Sequence, residues 1–333
     1  YLAEAFQVND SNPVLLDKFL DVAIEFDVEA ISDGSRILIC GILQHIEQAG
    51  VHSGDSACSI PPYNITIETE NKIKNEVIKV IKNMNIIGLV NVQIAYVNDT
   101  VYLLEVNPRA SRTIPFVSKA LGLPLAKIAA RVMAGISLEE QKILNIPELK
   151  LFNVKEAVMP FNKFQNVDPI LGPEMRSTGE VMGIGKTFEE AFEKAEIAAG
   201  VTIPDSGSAF ISVRDIDKQF LKEIAEDLTE SNFSLVGTKG TVRALKELGF
   251  QARQINKVLE GRPHIIDLMK NSEITLVINT TEGRESIKDS ASIRRTALEE
   301  KICCTTTIQG AVAICKVIKN QLDWSVQKLQ DIH

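Results

Sequence analysis

The sequence predicts a mixed α/β chain in two parts: an α+β part over residues 1–200, and a doubly wound parallel sheet over residues 201–333. Three observations predict it. Residues 13–60 read as strands and tight turns, and a strand pair follows at 91–107. From Ser208 onward short apolar strands alternate with amphipathic helices, the pattern of a parallel sheet wrapped by helices. The length, 333 residues with 45% hydrophobic content, suits two packed domains.

In chain order, Pro13-Val14-Leu15-Leu16 and Ile37 to Leu43 are apolar enough for central strands. Asp33-Gly34, between Ala30-Ile31 and Arg36-Ile37, is a hairpin signal. Ile73, Val77, Val80 and Ile81 recur at helical spacing within 67–86. A helix follows from Pro124 to Met133, stopped at Gly135. Residues 137–200 carry weaker signals. Ser137 with Glu140 and Thr187 with Glu190 resemble capping boxes. Gly183-Ile184-Gly185-Lys186-Thr187 has some look of a phosphate loop, but it lacks the full glycine spacing, and a Thr187 cap explains it without a ligand. The second part predicts strands at 209–213, 233–236, 251–255, 274–278 and 302–305. Helices are expected at 218–229, 241–248, 265–269, 293–300 and 311–318.

The most informative stretch is Asn91 to Arg109. It reads as two strands joined by a turn at Asn98-Asp99, which brings Gln93 near Glu105. Glu105 and Asn107 share a face because strand side chains alternate with a period of two. One carboxylate and two amides offer hard oxygen ligands, which suit Mg²⁺ with positions left for water and phosphate. Arg109 and Arg112 add positive charge for an anion beside the metal. The plainer reading is a hairpin whose polar residues face water.

A second candidate anion site lies in the C-terminal part. Ligands of parallel sheets bind beyond the carboxyl ends of the strands. Thr238-Lys239-Gly240-Thr241, Asn279-Thr280-Thr281 and Thr305-Thr306-Thr307 all fall there, with Lys218 and Lys257 as further cations. Hydroxyls and amides at helix N-termini make a phosphate pocket; the alternative is that the threonines only cap helices.

Composition narrows the function classes. A net charge of −8 and a pI near 5.3 argue against a general nucleic-acid binder. No apolar run is long enough to cross a bilayer. Five cysteines (Cys40, Cys58, Cys303, Cys304, Cys315) follow no disulfide framework, so a reducing, cytoplasmic setting is expected; Cys303-Cys304 could form a redox pair, but adjacent cysteines bridge only with strain, which favours structural thiols. None of the four histidines pairs with cysteine at zinc spacing. Tyr1 to Phe6 reads as the inside of a longer chain.

Four runs carry a resemblance: His45 to Ser56, Glu105 to Thr113, Gly172 to Glu180 and Asn256 to His264. In this order they resemble the large subunit of carbamoyl phosphate synthetase, across nearly the whole chain. Residues 1–200 are similar to the later part of its second ATP-grasp module, and residues from about 201 to its methylglyoxal-synthase-like allosteric domain. The glycine-rich lid over the nucleotide would then precede Tyr1, and a fragment starting there would not turn over alone.

The resemblance implies ATP-dependent phosphorylation of carbamate to carbamoyl phosphate, serving pyrimidine and arginine biosynthesis. It implies ATP, Mg²⁺ or Mn²⁺, and K⁺ as cofactors. Gln93, Glu105 and Asn107 would hold the divalent cations, with Arg109 and Arg112 facing the transferred phosphoryl. Leu20, Glu25, Gly50, Val51, His52 and Ser53 would line the nucleotide site. Glu25, His45, Glu47, Gln48, Val51 and Ser56 resemble a potassium loop. Lys218, Thr238, Thr241, Lys257, Asn279, Thr281 and Ser290 match a pocket for UMP or IMP. Glu47, Asp55, Glu156 and Thr306 match an ornithine site, but Cys304 and Thr305 replace its usual tyrosine and aspartate, which puts ornithine activation in doubt. Expected partners are the rest of the large chain and a glutamine amidotransferase small subunit, in an oligomer. Two alternatives stand beside this: a non-catalytic, nucleotide-binding regulatory fragment, and a synthase acting on a phosphorylated triose, for which the Thr238–Thr241 loop lacks a carboxylate base.

Overall fold

A computed structural model describes residues 6, 13–14, 16, 20, 23–161, 167–320 and 326–332. Pro13, Val14 and Leu16 carry no strand, contrary to expectation, and Leu15 and Tyr1 to Ala5 lie outside the described residues.

Seven strands form the first sheet: β1 (Ile24–Ser32), β2 (Ile37–His45), β3 (Cys58–Ile60), β4 (Gly88–Val97), β5 (Thr100–Asn107), β6 (Phe152–Val158) and β7 (Gly179–Gly185). Their order is β5-β4-β1-β2-β3-β6-β7, and every pairing is antiparallel. Successive strand residues point to opposite faces. Phe26, Val28, Val90 and Val92 therefore pack under Ile73, Val77 and Ile81 of helix α1 (Ile67–Asn83). Ile31, Leu43 and Leu89 face α2 (Ile114–Leu121) and α3 (Leu125–Met133). The predicted turn at Asn98-Asp99 is present, with φ of 50° and 61°, the left-handed pair that lets a two-residue hairpin follow the twist of its strands.

The β4–β5 pairing contains a feature that alternation alone does not show. Gln93 pairs with Glu105 but Ile94 pairs with Leu103, so Leu104 is an extra residue in β5. Such a bulge switches the face of everything beyond it. Val101 can thus pack on the α1 side while Glu105 and Asn107 face the other way. A second bulge, at Glu29/Ala30 against β2, leaves Cys40 unpaired across the strands.

Helix α4 (Phe188–Ala199) lies close on β6 and β7. A Cβ at Gly183 would lie 2.0 Å from the Ala191 carbonyl oxygen, and one at Gly185 2.7 Å from the Ala191 nitrogen. Those glycines exist for strand–helix approach. Thr187 caps α4 by accepting from Glu190 N, while Glu190 accepts from Lys186 N at 2.8 Å.

The second sheet holds β8 (Gly207–Ser212), β9 (Phe233–Gly237), β10 (Ala252–Gln254), β11 (Leu276–Asn279) and β12 (Cys303–Thr305), in the order β10-β9-β8-β11-β12 and wholly parallel. Its helices are α5 (Leu221–Glu230), α6 (Lys239–Glu247), α7 (Ile265–Lys270), α8 (Arg284–Glu299) and α9 (Ile308–Asn320). Both faces are buried, as in a doubly wound sheet: Ala209, Ile211, Leu276 and Ile278 belong to one core, Phe210 and Val277 to the other. The first of these cores continues through Phe188 and Phe192 of α4 to Val154 of β6 and to Ile46 and Ala57, which adjoin β2 and β3. Three predicted helices start three or more residues away from expectation: α8 begins nine residues and α9 three residues earlier, and a 3-10 turn over Asp215–Phe220 precedes α5, which begins three residues later. No helix among the described residues is long and apolar enough to cross a membrane.

Candidate functional site

A cleft of about 840 Å³ opens on the face of the first sheet opposite α1. Glu25 and Asp27 of β1, Asn91 and Gln93 of β4, and Glu105 and Asn107 of β5 form its floor. The strand register puts Asn91 opposite Asn107 and Gln93 opposite Glu105. Arg109 and Arg112 form one wall, and Gly50 to Gly54 another. The sequence-predicted catalytic residues are therefore brought together, and so are Glu25, Gly50, Val51, His52, Ser53 and Gln93 of the nucleotide set. Leu20 is half-buried and does not line the cleft.

The donor chemistry fits a divalent cation held jointly with phosphates. Gln93 Nε2 donates to Ser53 Oγ at 3.2 Å, which leaves the amide oxygen for a ligand. Glu105 is exposed. Asn107 Oδ1 accepts from Arg109 Nη2 at 3.2 Å, a bond a cation would replace. Among the described residues no three His, Cys, Asp or Glu side chains converge as a cage. A site with one carboxylate and two amides keeps most coordination positions for water and nucleotide oxygens, as Mg²⁺ prefers.

The candidate potassium loop is more dispersed. Glu25 is buried, accepts from Gly50 N at 3.3 Å, and has its pKa raised by burial. Ser56 Oγ and Glu47 Oε2 are buried with no partner, the condition a bound cation would relieve. His45 Nε2 lies 3.1 Å from Asp27 Oδ2, so that ring nitrogen is engaged, and Gln48 is exposed.

Sequence reasoning missed Asp27, Asn91, Lys155 and Glu180 as cleft residues. Lys155 has 0% exposure, donates from Nζ to Ser53 O at 3.1 Å, and lines the cleft. A charged residue inside the apolar-looking run Phe152 to Val158 was the available signal.

A second cavity, of about 620 Å³, lies between the two sheets. Glu47, Asp55, Glu156 and Thr306 line it, as do Cys304 and Thr305. Burial pushes Glu47 up to about 8 and Glu156 up to about 7; Glu156 and Glu47 in turn raise Glu196, which burial already lifts. Asp55 is less available than expected. Its two oxygens accept from Arg176 N at 2.7 Å and Ser177 N at 2.9 Å.

In the parallel sheet the chain order reverses at β8, and the candidate effector residues surround that point. Thr241 Oγ1 accepts from Val213 N at 3.5 Å, and Thr280 Oγ1 from Arg214 N at 3.1 Å. Lys218 Nζ would be 3.9 Å from a Cβ on Gly240, so it sits by the N-terminus of α6, and it also pairs with Asp215 at 2.6 Å. Thr238 occupies the N-cap position of α6 yet makes no side-chain cap hydrogen bond, against the capping alternative there, whereas Thr307 accepts from Gly310 N at 3.2 Å and does cap α9. Asn279 Nδ2 is buried without a partner, while its Oδ1 accepts from Arg294 Nη1 at 3.4 Å. Thr281 and Ser290 are half-buried, the latter on α8, and Lys257 is exposed.

The amino-acid sequence matches known proteins. The family described as "Carbamoyl-phosphate synthase L chain, ATP binding domain" matches residues 2–141, and "MGS-like domain" matches residues 221–306. The whole chain is 54% identical to the carbamoyl phosphate synthase large chain of Pseudomonas aeruginosa, and 52% identical to that of Vibrio vulnificus. The chain belongs to the carbamoyl phosphate synthase large-chain family. It spans 31% of the length of these large-chain relatives. The first sheet with its cleft is accordingly part of an ATP-grasp module, and the parallel sheet is its MGS-like domain. A likeness to the biotin carboxylase domain of a thermophilic 2-oxoglutarate carboxylase (15% identical, TM-score 0.46, over 59% of this chain and 50% of that one) is too slight to bear on the site.

Proposed function

We propose that this chain is the C-terminal part of a glutamine-hydrolysing carbamoyl phosphate synthase large chain, divided near residue 200. Its first part passes a phosphoryl group from ATP to carbamate, and its second binds a nucleotide monophosphate, UMP or IMP, that tunes the first. The observation that supports this most is the convergence of Gln93, Glu105 and Asn107, from paired strands, beside Arg109 and Arg112 in one cleft.

In the proposed reaction a carbamate oxygen attacks the γ-phosphorus of ATP, the bond to the β,γ-bridging oxygen breaks, and ADP leaves. A divalent cation on Gln93, Glu105 and Asn107 would supply charge neutralisation on the β- and γ-phosphates. Arg109 and Arg112 meet the equatorial oxygens of the transferring group. Phosphoryl transfer is mostly positioning and electrostatics, and these residues supply both. Lys155 adds a third positive charge at the cleft floor, and burial away from water strengthens its field. Glu25 and the Gly50–Ser53 wall receive the nucleoside. Potassium at the loop containing Ser56, a glutamine amidotransferase partner, an oligomer, and service to pyrimidine and arginine synthesis complete the reading.

The test is Glu105→Ala in the full-length chain, with ATP synthesis from carbamoyl phosphate and ADP as the readout. Activity should be abolished. Retained synthesis would sink the metal role and with it the assignment.

A further inference from the structure

We propose that Glu29 is the positioning residue of the cleft, the group that ties the arginine-bearing loop to the strand pair carrying Glu105 and Asn107. This rests on the reading above, since it concerns how the same cleft holds its arginines.

Glu29 lies on β1 with 0% exposure, on the same face as the floor residues Glu25 and Asp27. One oxygen, Oε1, accepts three donors: Asn91 Nδ2 at 2.8 Å, Ser111 Oγ, and Thr113 Oγ1 at 2.5 Å. Asn91 stands opposite Asn107 in the β4–β5 pair, and Ser111 and Thr113 flank Arg112. A single carboxyl therefore joins both halves of the site. The other oxygen, Oε2, is buried and has no partner.

Two local facts argue that this link is more than packing. Thr113 holds the N-cap position of α2 but makes no side-chain cap bond. Its hydroxyl donates to Glu29 instead. On the same face of the sheet Ile31 and Leu43 are apolar, and the buried Asp27 adds like charge. A carboxyl among them costs desolvation that an aliphatic side chain would avoid. Burial pushes its pKa to about 7 against the hydrogen bonds from Ser111 and Thr113. The cost is explained if the fold needs those two hydroxyls, and Arg112 between them, held in one place. Displacing a positioned group by about 1 Å can cost 100-fold in rate.

The experiment uses the full-length enzyme in the reverse assay. Ser111→Ala with Thr113→Val should lower kcat about 100-fold and leave KM for ADP within about 3-fold, because the nucleoside end of the cleft is untouched. Glu29→Ala should cause a similar loss, and combining all three changes should add little, as expected for groups acting as one unit. Glu29→Gln keeps an acceptor oxygen and should recover kcat to within about 10-fold of the parent. Unchanged kcat in the Ser111/Thr113 variant overturns the proposal, even if Glu29→Ala fails to fold. Strictly additive losses overturn it as well. Glu105→Ala run alongside separates the two readings: its activity decides the cleft's function, and the Glu29 series decides only what holds the loop.

Discussion

Gly183→Ala tests whether the glycines of β7 serve packing or a phosphate. The added Cβ would sit 2.0 Å from Ala191 O and 2.6 Å from Ala195 N, where ordinary contact begins near 3.4 Å. The shortfall to the carbonyl is about 1.4 Å (3.4 − 2.0), and both opposing atoms are backbone, so no side chain can swing away. Helix α4 must retreat, and it carries Phe188, Phe192 and Ala195 into the core shared with the parallel sheet. Overpacking of this kind costs about 1–3 kcal/mol, and the rigid backbone here places the change at or above the upper end. Thermal unfolding followed by circular dichroism, with nucleotide binding by calorimetry, reads the result. Gly179→Ala is the matched control, since nothing lies within 4 Å of its Cβ position and both residues are on β7. A melting temperature equal to that of Gly179→Ala, together with weakened nucleotide binding, would refute the packing argument and revive the phosphate loop.

Further outcomes are expected. Lys257→Ala in the full-length enzyme should weaken the effect of nucleotide monophosphates on ATP affinity while leaving unregulated turnover intact; loss of turnover would make the residue structural or catalytic. Glu156 is raised from 4.5 to about 7, so the folded chain keeps a proton that the unfolded chain releases. Its unfavourable contribution is absent below pH 4.5, grows as pH rises through the window from 4.5 to about 7, and is constant above it. Glu156→Gln should therefore raise the denaturation midpoint more at pH 8 than at pH 5, in potassium-free buffer; an equal shift at both would contradict the assigned cause. Ornithine should activate weakly or not at all, given Cys304 and Thr305 in the cavity lining; a large fall in KM for ATP on adding it would oppose this.

Local signals in the sequence were enough for much of this protein. The Asn98-Asp99 turn, the α1 stripe of Ile73, Val77 and Ile81, and the strand–helix alternation after Ser208 each arise from neighbours in sequence, through φ preference or side-chain period. The turn set the register from Val97–Thr100 to Ile94–Leu103, because a two-residue loop fixes it, but by itself it would have put Gln93 opposite Leu104 rather than Glu105. Gly183 and Gly185 resembled a ligand loop because sequence cannot show helix backbone lying 2.0 and 2.7 Å from where their Cβ atoms would be.

What only the tertiary structure decided concerns contacts between distant segments. Simple alternation would put Val101, Leu103, Glu105 and Asn107 on one face. The bulge at Leu104 divides them, so that α1 takes Val101 while the cleft takes Glu105 and Asn107, and a one-residue insertion in pairing has no signature along a single strand. Lys155 and Glu29 became part of the site in the same way. The first looked like an interruption in an apolar strand, and the second gained its role from partners 62 to 84 residues away in the chain. Sequence determines what one segment does by itself; which buried charge faces which loop depends on how the sheet closes around them.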